Sequence, residues 1–207
     1  SICGAEALVR WKKQDGSLIP PGEFIPFFET NGFIEKVDRA MMEAVCQFQS
    51  QWKERGLRTV PVSVNLSRTY LYSEIFAREW RAYLEKHQLS TKDIQFEVTE
   101  TFAERDREQL RKVIRALHEE GFTVLLDDFG TGYSSMQSLQ ELEFDVLKLD
   151  CEFTWGIGRE RTEKILDATI ALAKALDMAT IAEGVETETQ YRYLKEHGVT
   201  EAQGYFY

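Results

Sequence analysis

The sequence predicts an α/β fold on a mainly parallel sheet, most economically seven of the eight strands of a (β/α)8 barrel. Three observations predict it. Apolar runs of strand character alternate with stretches of helical period along the whole chain. Glycine closes the helical stretches at Gly56, Gly121 and Gly198. The 207 residues, 43% hydrophobic and 12% aromatic, suffice for one sizeable core. An open doubly wound sheet is the alternative arrangement of the same units. One domain over residues 1–207 is expected, cut inside a strand at both ends.

The elements follow in order. Residues 2–11 (ICGAEALVRW) read as the first strand, and PGEFIPFFETNG as a short helix. Val37, Met41, Ala44, Val45, Phe48 and Trp52 fall at helical spacing before Gly56. VPVSVNL is a strand, and 73–88 a helix with Phe76, Trp80, Tyr83 and Leu84 inward. IQFEV is a strand; Leu110, Val113, Ile114 and Leu117 mark the next helix. FTVLLD is a strand, 134–141 a short helix and FDVLKLD a strand. Ile165, Leu166, Thr169, Leu172 and Leu176 mark a helix, MATIAE a strand, 187–197 a helix, and TEAQGYFY opens the last strand.

Composition excludes several classes. The formal charge of −10 argues against a nucleic-acid polymer as partner, because such binding needs basic surface. Cys3, Cys46 and Cys151 are odd in number and far apart, which fits neither a disulfide framework nor a zinc site. A reducing compartment, and so a cytoplasmic domain, is expected. No apolar stretch approaches the roughly 20 residues of a membrane span, and no basic-then-apolar leader opens the chain. No direct membrane contact is expected of this domain, although a membrane-anchored parent is compatible with it.

The chemistry sits at the strand ends. Asn65 ends the second strand, Glu97 lies in the third, and Asp127 and Asp128 end the fourth. Lys148 and Asp150 follow in the fifth, Glu183 and Glu186 after the sixth, and Gln203 in the seventh. Glu6 lies in the first, and alternation groups it with Leu8 and Arg10 and groups Lys148 with Asp150. In a parallel α/β fold these ends form one rim, where active sites are built. Glu6, Glu97, Asp127, Asp128, Glu183 and Glu186 would repel there without cations. Hard divalent ions bound by oxygen relieve this, and no His or Cys stands at a strand end to suggest zinc. Adjacent aspartates can hold two ions, and a pair roughly 3.5–4 Å apart suits phosphate-ester hydrolysis.

The blocks GAEALVRW, FIPFFETNGFI, VSVNLS, FEVTE, DDFGTGYSS, DVLKLD, IAEGVET and AQGY stand in one order along nearly the whole chain. In that order they resemble the EAL domain, the bacterial cyclic di-GMP phosphodiesterase family, with Glu6-Ala7-Leu8 as the name-giving motif. The resemblance implies a modified TIM barrel whose first, antiparallel strand is missing from this chain. It implies two divalent cations, Mg2+ or Mn2+, with Glu6, Asn65, Glu97 and Asp127 as ligands of one. Asp127, Asp128 and Glu183 would hold the other. Lys148, Glu183 and Asp128 are the implied catalytic residues, Lys148 orienting the attacking water and Glu183 the candidate base. Leu8, Arg10 and Gln203 are implied substrate contacts. Glu100 is implied to anchor the loop after Asp128, with Asp150 and Glu186 in support. The implied activity yields linear 5′-pGpG. A catalytically weak or inactive cyclic di-GMP receptor is the alternative. Where the family position after Lys-x-Asp is often basic, this chain has Cys151. A homodimer, coupled through DDFGTGYSS and tethered to sensory or GGDEF domains, is also implied.

Overall fold

The structure, a computed structural model, describes residues 1–73, 75–130 and 135–207, the side chains of 104, 105 and 135 excepted. Its elements are β1 (Ala5–Glu6), β2 (Trp11–Lys12), β3 (Leu18–Ile19), α1 (Pro21–Asn31), α2 (Ile34–Glu54), β4 (Val62–Asn65) and α3 (Phe76–Lys86). Then come β5 (Ile94–Thr99), α4 (Glu100–Arg105), α5 (Arg107–Glu119), β6 (Thr123–Phe129), α6 (Ser135–Glu141) and β7 (Val146–Leu149). Last are α7 (Cys151–Trp155), α8 (Glu160–Ala175), β8 (Ala179–Ala182), α9 (Glu188–Glu196) and β9 (Glu201–Ala202). The chain packs as two compact units, Ser1–Glu97 with Arg115–Thr123, and Val98–Ile114 with Val124–Tyr207.

In the first unit the strands run parallel in the order β1-β4-β5. Their core is aromatic: Phe96 lies 5.5 Å from Phe76 and 5.1 Å from Phe122, both edge-on. The first strand is much shorter than expected. Asp15 accepts hydrogen bonds from the Ser17 amide and hydroxyl, and Gly16 takes φ +87°. This Asp-Gly turn folds β2 back on β3 as an antiparallel hairpin. Trp11 then stacks on Phe28 of α1 at 5.4 Å instead of extending β1. The alternation that grouped Glu6 with Leu8 and Arg10 therefore does not hold, since neither Leu8 nor Arg10 is in a strand.

Helix α2 also turns a different face inward. Ile34, Met42, Val45, Cys46 and Gln49 are buried, whereas Phe48 is 62% exposed. The inward stripe contains a glutamine whose amide donates to the Val60 carbonyl at 2.6 Å, so polarity hid it from an apolar pattern.

The second unit runs parallel in the order β6-β7-β8-β9. Leu125, Leu126, Leu147, Leu149, Leu166 and Leu194 are almost wholly buried in it. Two helices absent from the sequence reading begin where strands end. The Thr99 hydroxyl caps α4 by accepting from Phe102 N, and the Asp150 carboxylate caps α7 by accepting from Glu152 N. Thr187 and Gln190 open α9 with a capping box. Among the described residues no helix is long and apolar enough to cross a membrane. The expected switch loop falls largely on residues 131–134, outside the described ones.

Candidate active site

The site in the second unit is built on a register break. Leu125 and Leu126 of β6 pair with Val146 and Leu147, and pairing resumes at Phe129 with Leu149. Asp127 and Asp128 thus face the single residue Lys148, which is a β-bulge. Asp128 accommodates it at φ +58°, a left-handed conformation that aspartate tolerates better than bulky residues do. Adjacent residues of a regular strand point to opposite faces. Here a carboxylate oxygen of Asp127, one of Asp128 and one of Glu183 all lie within 4.8 Å of one another.

Register also brings the other partners in. Lys148 pairs with Ile181, so it shares a face with Glu183 two residues on. Ile181 pairs with Glu201, which puts Gln203 on that face as well. Lys148 is 2% exposed, and its Nζ lies 2.8 Å from Asp127 Oδ1 and 2.9 Å from Glu183 Oε1. Gln203 Nε2 donates to the same Glu183 oxygen at 2.8 Å. The paired carboxylates offset the desolvation of the buried ammonium. Alternation along the strand groups Lys148 with Asp150. Asp150 instead caps α7, and Lys148 pairs with Asp127 and Glu183.

Glu100 is fully buried, and its Oε2 accepts from Gly130 N at 3.0 Å, just after the bulge. Gly130 has φ +106°, and a Cβ there would fall 2.3 Å from the Phe153 ring. Only glycine fits that turn. Glu186 is exposed, and its amide donates to Gln190 Oε1; it is not in the carboxylate cluster.

In the first unit, Asn65 and Glu97 are direct register partners. Glu6 pairs with Ser63, two residues before Asn65. Glu6, Asn65 and Glu97 therefore lie on one face of β1-β4-β5. Glu97 is 1% exposed, Glu6 half-buried and Asn65 exposed. Leu8 is exposed, and Arg10 donates to the Val9 carbonyl at the rim of an apolar cavity of about 740 Å³ with Trp11, Phe24 and Phe28.

The EAL domain family model matches residues 1–207. The chain belongs to the EAL domain family. This EAL domain is 36% identical over 210 residues to a protein of Escherichia coli K12 named probable cyclic di-GMP phosphodiesterase PdeB, covering 100% of this chain and 39% of that protein. It is 33% identical over 203 residues to cyclic di-GMP phosphodiesterase PdeR of the same organism, covering 98% of this chain and 31% of that one. Among solved structures, the MucR phosphodiesterase in complex with c-di-GMP matches with TM-score 0.86 and 33% identity, over 97% of this chain and 82% of that chain. The fold of this EAL domain is accordingly the TIM-like barrel fold of its family. It spans 25–41% of the length of the curated relatives compared.

The donor set of the cluster fits a hard divalent cation. All three donors are carboxylate oxygens, and three carboxylates against one ammonium leave the cluster net negative. What the sequence alone does not give is the bulge. Its only trace is the Asp-Asp pair running into Gly130.

Proposed function

We propose that this EAL domain hydrolyses cyclic di-GMP to linear 5′-pGpG, with two divalent cations, Mg2+ or Mn2+, as cofactors. Asp127, Asp128 and Glu183 would hold one cation; Glu6, Asn65 and Glu97 are the donors assigned to the other. When bound, such ions neutralise phosphoryl charge and make water acidic enough to attack near neutral pH. The single observation that carries the reading is the bulge that gathers the Asp127 and Asp128 carboxylates beside Glu183 and Lys148.

The residues divide the work. Lys148, held between Asp127 and Glu183, is the candidate for orienting the attacking water. Glu183, oriented by Gln203, takes the proton from that water. The water oxygen bonds to phosphorus in line with the departing 3′ oxygen. The P–O3′ bond breaks, and the 3′ oxygen gains a proton as one ring opening leaves the linear dinucleotide. Leu8 and Arg10 are the candidate contacts to the rest of the substrate. Homodimer formation, coupling through the DDFGTGYSS segment and tethering to sensory or GGDEF domains belong to the same proposal.

The test is incubation with cyclic di-GMP and Mn2+, with chromatography of the products. Mn2+-dependent 5′-pGpG that disappears in Asp127→Asn supports the reading. Tight nucleotide binding with no product would replace it with the receptor alternative.

A further inference from the structure

We infer that Asp38, on α2, is a positioning residue for the candidate cation donors Asn65 and Glu97, acting through the Ser67 hydroxyl. The inference rests on the assignment of those two residues to a cation.

Asp38 Oδ2 accepts a hydrogen bond from Ser67 Oγ, and Ser67 Oγ lies 3.0 Å from Thr69 Oγ1. An ionised carboxylate only accepts, so the one Ser67 proton is committed to Asp38 and Thr69 must donate to Ser67. The chain of donors therefore has a fixed direction. It ends on a helix that packs against β4.

Ser67 stands two residues past Asn65. The residue between them, Leu66, donates its amide to the Glu97 carbonyl at 2.8 Å. Residues 65–67 are thus tied on one side to the peptide of Glu97 and on the other to α2. Consecutive Cα atoms are about 3.8 Å apart, so Ser67 lies close enough along the chain to bear on where Asn65 sits.

A plain capping role does not account for the contact. Ser67 precedes the 3-10 turn Arg68–Tyr72, yet its side chain makes no capping hydrogen bond there. Its hydroxyl is turned to α2 instead. Nor does Asp38 serve stability at neutral pH. Burial pushes its carboxyl up to about 6, against the Ser67 hydrogen bond, and Glu35 and Glu29 add to the rise.

The experiment measures Mn2+ binding directly, from the spin-resonance signal of free Mn2+, in wild type, Asp38→Ala, Asp38→Asn, Ser67→Ala and the Asp38→Ala/Ser67→Ala double variant. Asp38→Ala and Ser67→Ala are each expected to weaken one bound Mn2+ at least tenfold. The double variant is expected to be no worse than either. Asp38→Asn keeps an acceptor oxygen for Ser67 and is expected to stay within threefold of wild type. Affinity within twofold of wild type in Ser67→Ala, which removes a single oxygen and leaves the fold least disturbed, would overturn the inference. So would Asp38→Asn as weak as Asp38→Ala, or a wild type that binds no Mn2+. Wild-type protein that binds Mn2+ without hydrolysing cyclic di-GMP would overturn the hydrolytic reading alone.

Discussion

At the scale of single residues, Lys148 and Asp38 show how a charge withdrawn from water is maintained in two different ways. Lys148 is held by two carboxylates, and removing it leaves Asp127 and Glu183 facing each other without it. Lys148→Met is expected to lower turnover at least about 100-fold while cyclic di-GMP affinity falls far less. It is also expected to cost roughly 3 kcal/mol in metal-free protein, a deficit that Mn2+ narrows. Melting curves with and without Mn2+ check this, and a deficit unchanged by the metal contradicts it. Asp38 is half-buried against a neutral hydroxyl instead. Its carboxyl titrates near 3.8 unfolded and about 6 folded, so the folded state holds the extra proton between those values. Stability from this group is fully present below about pH 3.8 and is lost as pH rises through about 6. Asp38→Asn should therefore gain about 1 kcal/mol relative to wild type between pH 5 and pH 8. Urea unfolding at both pH values reads the difference, and a difference independent of pH contradicts it.

At the scale of elements, the helices were the most legible. The stripe Leu110, Val113, Ile114 and Leu117 and the glycine stops mark α5 and its end because a 3.6-residue period repeats several times. Two-residue strands offer no period at all. This is why residues 2–11 read as one strand across β1 and the start of β2, why β3 goes unmarked, and why β9 reads as longer than Glu201–Ala202. Caps that begin a helix at a strand end, as Thr99 and Asp150 do, look like strand-end chemistry in sequence. The bulge was invisible for a related reason: pairing register belongs to two strands, not one. The turn after it makes its own prediction. Gly130→Ala puts a Cβ 2.3 Å from the Phe153 ring at φ +106° and is expected to cost about 2–3 kcal/mol. Phe153→Leu in the same chain should recover part of that. Equal melting temperatures for wild type and Gly130→Ala would contradict the anchored turn.

At the scale of the whole molecule, the legible part was the site's chemistry and the illegible part its geometry. Oxygen donors at successive strand ends follow from topology, which orders Glu6, Asn65 and Glu97 on one face and Asp127, Lys148, Glu183 and Gln203 on another set of strands. Glu186 shares the sequence signal yet stands exposed, because it falls four residues past the end of β8. The net charge of −10 has a consequence for ligand choice. A doubly anionic dinucleotide is repelled by such a chain unless cations intervene. Cyclic di-GMP is expected to bind at least about 100-fold more tightly in Mn2+ than in chelator, which at 25 °C is about 2.7 kcal/mol. Calorimetric titration under both conditions checks it, and equal affinities contradict it. The most direct test of the central claim is anomalous diffraction from crystals soaked in Mn2+. The expected result is a manganese peak within ligation distance of Asp127, Asp128 and Glu183 together. Manganese bound elsewhere, with those three carboxylates bare, would contradict it.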